Sequence, residues 1–404
     1  MDNQVFDVAV VGAGPAGSAT ARRLALRGYR VALIERTRFT ELRVGESLAP
    51  AVQPLLTELG VWHEFLALNP LPSYGTRSLW GGATPQEHSH LMSPYGCGWH
   101  VDRLAFDRML AAAAVAAGAR LFLGTKLCGC EASIDGWQLH LTEDEADTYL
   151  KTPLQTTLIR PEILEAQTVR VADSLGKKPS GLRARCVIDA TGRSAHLAPW
   201  VSARRFVFDR LIAVTTLFRG INVSKEGFIL VETSPDGWWY SAPLSEDRMM
   251  VMLMTDSDLC GRAKLATASA WSRRLCAASA TTTRVTHAAP LWKPRVFSAI
   301  SQRLYRSEHR APWLAVGDAA LAVDPISGSG VVRALRTAAA GAEAALAVLE
   351  NGATDAIEAF ESDRDQECTA YLQERALYYD LEQRWCLDPF WQRRMSKTSE
   401  RFHT

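Results

Sequence analysis

Phe6-Asp7-Val8-Ala9-Val10-Val11 runs into Gly12-Ala13-Gly14-Pro15-Ala16-Gly17, and Tyr29-Arg30-Val31-Ala32-Leu33-Ile34-Glu35 follows shortly after. The first run is short, apolar and rich in β-branched residues, which suits a central parallel strand. The glycines then form a turn. Ser18 to Arg27 reads as a helix with Ala19, Leu24 and Leu26 inward, and Gly28 stops it. Tyr29 to Glu35 is a second strand, so the unit is strand, turn, helix, strand with a right-handed crossover. The spacing G-x-G-x-x-G in this setting is a dinucleotide fingerprint. Gly12 permits a tight turn, Gly14 lets backbone approach a pyrophosphate, and Gly17 allows close helix–strand contact. Pro15 and Ala16 open a helix whose N-terminus faces the negative charge. Glu35 lies 18 residues past Gly17, where its carboxylate can accept both ribose hydroxyls of an adenosine.

Outward from this unit, residues 50–68 look helical, and Leu104 to Ala117 is an alanine-rich helix ended by Gly118. Leu121 to Leu141 reads as strands with Asp135-Gly136 as a hairpin turn. Ala184 to Ala190 is again a buried strand. Alternating runs at Leu211 to Phe218, Phe228 to Glu232 and Met249 to Met254 predict an antiparallel sheet. Trp313 to Asp318 returns as a strand, and helices follow from Gly330 to Leu349 and near 354–380. Residues 142–180 read as an insertion, partly helical between Pro161 and Ser174.

The expected architecture is α/β. A discontinuous Rossmann-type FAD-binding domain, a mixed or parallel sheet with helices, takes residues 1–75, 99–130, 181–200 and 305–350. An antiparallel-sheet substrate domain takes 76–98 and 201–304. A hairpin and insertion occupy 131–180, and a short helical C-terminal segment covers 351–404.

Lys+Arg 45 against Asp+Glu 44 leaves a formal charge of +1, which argues against a nucleic-acid binder, where a strongly basic face is expected. No apolar run approaches the length of a membrane helix. The polar opening Met1-Asp2-Asn3-Gln4 is unlike a secretory signal, so a cytoplasmic location is expected. The eight cysteines show no paired zinc-ligand spacing, and no metal is expected. Cys128 and Cys130 read as ordinary buried thiols.

Which dinucleotide binds is decided three hundred residues downstream. Ala315-Val316-Gly317-Asp318-Ala319-Ala320, then Asp324-Pro325-Ile326-Ser327-Gly328-Ser329-Gly330, resembles the second FAD fingerprint of flavoprotein monooxygenases and their relatives. The resemblance implies that Asp318 holds the ribityl chain. It also implies that Gly317, Pro325, Gly328 and Gly330 belong to the turn and helix that meet the flavin ring and pyrophosphate. Three more segments are similar to that superfamily. Arg43-Val44-Gly45-Glu46-Ser47-Leu48-Ala49-Pro50 looks like the segment beside the isoalloxazine. Trp99-His100-Val101-Asp102-Arg103 resembles the segment whose arginine approaches the flavin phosphates. Asp189-Ala190-Thr191-Gly192-Arg193-Ser194 matches a turn packed near the adenosine. Glu35, Arg36, Arg43, Ser47, Arg103, Thr191 and Gly192 are therefore expected to contact FAD.

Tryptophan halogenases of the superfamily carry a lysine after G-E-S/A-x, yet the first lysine here is Lys126. Their W-x-W-x-I-P motif corresponds to Trp238-Trp239-Tyr240-Ser241-Ala242-Pro243, with Tyr240 and Ala242 in place of the family residues. Together with Gly98-Trp99-His100, Arg384-Trp385 and Pro389-Phe390-Trp391-Gln392-Arg393-Arg394, this stretch most resembles the flavoproteins that hydroxylate a peptidyl tryptophan in tryptophylquinone cofactor biogenesis. The resemblance implies reduced FAD, O2 and a flavin C4a-hydroperoxide whose distal oxygen passes to an indole of a partner polypeptide. NAD(P)H or a separate reductase would supply electrons, since no second Rossmann fingerprint is present.

Trp238 and Tyr240 share one strand face and, with Trp80 and His100, are expected to face the substrate. Glu46 and Tyr240 are the catalytic candidates, although Glu46 can equally stiffen its loop by hydrogen bonds. Arg384, Trp385, Trp391, Arg393 and Arg394 suit either a docking surface for the polypeptide or a tail packed on its own protein. Two other readings stay open. One is a halogenase or hydroxylase of a free small aromatic. The other is a non-catalytic FAD-binding maturation chaperone.

Overall fold

The computed structural model describes residues 4–40, 42–143, 180–221, 227–244 and 247–395. The expected helical insertion between Pro161 and Ser174 lies outside these residues. Strand Gln4–Val11 pairs in parallel with Val31–Glu35 on one side and Ser180–Asp189 on the other. Arg120–Leu123 extends the parallel set beyond Val31–Glu35. Ser180–Asp189 is shared along its length. Its first half pairs antiparallel with Gly136–Glu143, and its last residues pair in parallel with Trp313–Ala315. Thr125–Ser133 closes that edge.

This is the expected mixed Rossmann-type sheet. Helices Pro15–Leu26, Arg103–Ala116 and Gly330–Asn351 cover one face. Val8, Val10, Leu24, Val31, Leu33, Ala111, Ala114 and Leu346 pack beneath them. Ala19 and Leu24 are buried as expected, whereas Leu26 is 61% exposed. The correction follows from position: Leu26 is the last helical residue, turned off the buried stripe where the chain leaves for the second strand.

The helical reading of 50–68 divides at Gly60, whose φ of +71 breaks the segment into Val52–Glu58 and Trp62–Ala67. Cys130 is buried, and burial pushes its thiol up to about 12. Its neighbour Cys128 is exposed, correcting the expectation that both are buried. Alternation alone would put residues two apart on one face, but the ladder passes from Leu127, opposite Leu141, to Gly129, opposite His140, and this bulge at Cys128 shifts the alternation so that Cys128 faces out while Cys130 faces in.

The second large sheet runs Leu211–Arg219, Arg248–Asp256, Gly237–Pro243 and Phe228–Ser234 in antiparallel order, with Gly75–Leu79 added in parallel at one edge. Two small sheets join the halves. Ser47–Leu48, Gly98–His100 and Leu71–Ser73 form one, and Arg204–Val207, Gln302–Tyr305 and Leu321–Ala322 the other. Helix Asp355–Asp380 leads to a tail whose Phe390 and Trp391 are fully buried against the antiparallel sheet. Among the described residues no helix is long and apolar enough to cross a membrane.

Candidate functional site

Three loops from distant parts of the sequence meet at the carboxyl ends of the parallel strands. The Gly12 amide donates to Ile34 O at 2.7 Å, and the Ala13 amide donates to Glu35 Oε2 at 2.9 Å. Gly12 has φ +102, and a Cβ there would lie 2.4 Å from Ala190 O. A Cβ on Gly17 would lie 1.8 Å from Gly12 O. These two glycines are therefore required by the protein's own packing. Gly14 differs, because a Cβ there meets nothing within 4 Å. It stands at the start of helix Pro15–Leu26, whose first backbone N–H groups have no side-chain cap. That cradle fits a pyrophosphate.

The second loop is anchored by Asp189, fully buried and accepting from Thr191 N, Thr191 Oγ1 and Leu197 N. Its carboxyl pKa is raised by burial, and these hydrogen bonds oppose the rise. Gly192 follows with φ +64, and Arg193 reaches across to Asp318 Oδ2 at 2.6 Å. The third loop starts at Gly317, φ +60, whose amide donates to Thr337 Oγ1; a Cβ there would lie 2.7 Å from Ala16 Cβ. Gly317 thus presses against the first helix, bringing the fingerprints at 12–17, 189–194 and 315–330 into one cleft. Gly328 and Gly330 again face open space, and helix Gly330–Asn351 has no side-chain cap. A second uncapped helix start over an open cradle is the fit expected for the other end of FAD.

The Arg43 segment is held by charge. Asp107, fully buried, accepts from Arg43 Nη1 at 2.7 Å and from Arg103 Nε at 3.1 Å. Arg43 also reaches Glu35 Oε1 at 3.2 Å, and Arg103 Nη1 donates to Val44 O at 2.7 Å. Gly45, φ +101, leaves room for that guanidinium, since a Cβ would lie 2.7 Å from Arg103 Nη1. Arg36 is exposed beside Glu35. Sequence reading missed Asp107, although its place four residues after Arg103 in a helix is the signal for such a pair.

Beyond this segment lies a buried polar cluster. Ser47 Oγ shares hydrogen bonds with Tyr240 Oη at 2.7 Å and with His100 Nδ1 at 3.0 Å. His100 is fully buried, and desolvation together with the Arg284 charge pushes its pKa down to about 3, so the ring is neutral. Burial, then the nearby Glu46 charge, raises the Tyr240 hydroxyl. Glu46 is 2% exposed, and neither carboxylate oxygen has a hydrogen-bond partner. Burial pushes its pKa up to about 7, against the opposing pull of its neighbouring backbone amides and Arg103. Ser47, read from the sequence as a flavin contact, is the hub of this cluster.

The expectation of substrate contact is corrected for Trp80 and Trp238. Both are buried, at 5% and 1% exposure, within an aromatic cluster that includes Tyr379 and Trp391. Trp80 Nε1 donates to Tyr378 O, and Trp238 Nε1 to Tyr379 Oη. Tyr379 in turn donates to Asp324 Oδ2 at 2.7 Å, tying the cluster to the loop that holds Pro325. The tail is also turned inward. Arg394 and Arg393 bind Asp256, Trp391 Nε1 donates to Ser234 O, and Arg384 bonds Glu382. Trp391 and Arg394 pack on their own protein, whereas Arg384 and Arg393 stay exposed at the surface. Among the described residues no cluster of side chains suits a metal ion.

Comparison with known proteins agrees with this geometry. The FAD binding domain family matches residues 5–152. The FAD-dependent oxidoreductase LodB of Marinomonas mediterranea is 30% identical over 96% of both chains. The myxobacterial chondrochloren halogenase CndH superposes with a TM-score of 0.83 at 24% identity, covering 98% of this chain and 88% of that one. QhpG, a peptidyl tryptophan dihydroxylase essential for tryptophylquinone cofactor biogenesis, superposes with a TM-score of 0.70 at 22% identity, covering 96% and 78%. At these identities the two structures share the fold.

Proposed function

The chain belongs to the FAD-dependent oxidoreductases, and we propose that within them it is a monooxygenase that hydroxylates an indole side chain of a partner polypeptide. The observation that carries this reading is Glu46, a buried carboxylate without hydrogen-bond partners and poised near neutral pH. When bound and reduced, FAD supplies the activation of O2. Gly14, Asp318, Gly328 and Gly330, with the two uncapped helix starts, would hold it. The protein then needs to orient the indole, exclude water and accept one proton. Hydroxylation of an aromatic carbon ends with loss of its hydrogen as a proton, and a carboxylate of pKa about 7 suits that acceptance. Tyr240, fixed through Ser47 to neutral His100, presents an un-ionised hydroxyl beside it. The absence of lysine before Lys126 leaves the segment after Glu46 without the residue that halogenases use there. QhpG supports the choice of a polypeptide substrate, since a peptidyl tryptophan is what that neighbour modifies.

Mass spectrometry of tryptophan-bearing polypeptides encoded beside this gene tests the reading, each incubated with protein, FAD, a reductant and air. The expected result is one or two oxygen atoms gained on a tryptophan, absent without FAD. Chlorine gained in the presence of chloride, or no gain with flavin bound and reduced, overturns it. Partner maturation that survives Gly14→Ala or Asp318→Ala without FAD would instead show a chaperone.

A further inference from the structure

Where the tail meets the antiparallel sheet, a cavity of about 350 Å³ opens between residues 208–210, helix Asp355–Asp380 and Arg393. That volume lies at the small end of the usual range for small-molecule sites. Both carboxylates on its wall are already taken. Asp209 accepts from the Leu211 and Ser301 amides and from Arg375 Nη1. Asp256 accepts from Arg393 and Arg394 on both of its oxygens. What the wall still offers is donors. Arg375 uses only Nη1, on Asp209, Ser301 and Tyr371, and its Nη2 is neither partnered among the described residues nor sealed. Arg393 gives both terminal nitrogens to Asp256 and Asp258 and leaves Nε unbonded. Arg210 is exposed at the same cavity, and no carboxylate pairs with it among the described residues. Arg394 is sealed, so it adds charge but no open donor. Arg210, Arg375, Arg393 and Arg394 against Asp209, Asp256 and Asp258 leave an excess of positive charge here.

We propose that this cavity, formed by none of the flavin-binding segments, is a second ligand site for a phosphate group, free or carried on a small molecule. The open arginine edges come from three separate segments, and a phosphate presents at least three terminal oxygens to them, where a carboxylate has two. The planar fork of arginine matches phosphate geometry. A cation finds no ligand there, because every carboxylate oxygen on the wall already accepts from the protein. The ring of Phe208 also lines the cavity and would meet the carbon body of a phosphate monoester. The inference does not depend on the indole hydroxylase reading.

Titration calorimetry with inorganic phosphate, phenyl phosphate and acetate tests it on the FAD-loaded protein, in which the pyrophosphate cradle is filled. Saturable binding of phosphate is expected, with acetate weaker. Phenyl phosphate binding more tightly than inorganic phosphate would identify a monoester as the ligand, and the reverse order free phosphate. Arg210→Gln, a surface change that leaves the core alone, should weaken binding by about tenfold or more, the worth of a charge-assisted hydrogen bond. Arg375→Lys keeps a cation opposite Asp209 but loses Nη2, and should weaken it several-fold. Lys126→Gln, exposed on strand Thr125–Ser133 of the other sheet, should leave it unchanged. Absence of saturable binding of either phosphate overturns the proposal. So does acetate binding as tightly as phosphate, or an Arg210→Gln affinity equal to that of Lys126→Gln, which would mark an adventitious ion only.

Discussion

At the scale of single residues, Glu46 is where physics and function meet. A carboxylate whose folded pKa is about 7, against an ordinary 4.5, holds its proton more tightly in the native state. The native state therefore loses stability from this group as pH rises from about 4.5 to about 7, and the loss is complete above that. The penalty is on the order of 3 kcal/mol. Glu46→Gln should melt at the same temperature as the parent near pH 4.5 and higher than the parent at pH 8; equal melting at both pH values would contradict the assigned burial. The same variant should keep FAD and lose most turnover, along with the rise in rate centred near pH 7. Tyr240→Phe breaks only the 2.7 Å bond to Ser47 and leaves the ring packed. Its expected effect is a fall in turnover with little change in melting temperature.

Among the elements, the Gly-rich turn separates folding from binding. Gly14→Ala places its Cβ in open space at φ −75, an ordinary helical-entry conformation. The protein should fold with an unchanged circular dichroism spectrum yet elute without flavin absorbance, because the methyl occupies the pyrophosphate approach. Gly12→Ala should instead lose soluble protein, since it combines φ +102 with a clash on Ala190 O. If the two variants behave alike, the open side of Gly14 is not the ligand side.

For the whole molecule, the tail acts as a clamp rather than a lid. Asp256, at the end of strand Arg248–Asp256, holds Arg394 at 2.6 Å and Arg393 at 2.6 Å, and Arg394 is nearly sealed from water. Asp256→Ala leaves a buried guanidinium unpaired, at an expected cost of about 3–5 kcal/mol. Thermal denaturation should show it, with Trp80, Trp238 and Trp391 becoming accessible to an aqueous fluorescence quencher. An unchanged melting temperature would show that apolar packing alone holds the tail.

The sequence by itself determined the FAD-binding architecture. A G-x-G-x-x-G turn, buried strands and periodic helices are local features, and local sterics suffice to read them at Gly12, Gly17 and Glu35. Glu46 and Tyr240 were legible as candidates because they stand in recognisable segments. Only the tertiary structure decided their partners. Ser47, His100 and Tyr240 lie 53 and 193 residues apart along the chain, and no spacing rule relates such separations. The same holds for Trp238, which strand alternation puts on one face with Tyr240, and for Trp80, expected beside them as a substrate wall. Alternation says that two residues share a face, but not what covers that face. Here helix Asp355–Asp380 and the buried Trp391 cover it, and that long-range packing turned the expected substrate walls into core.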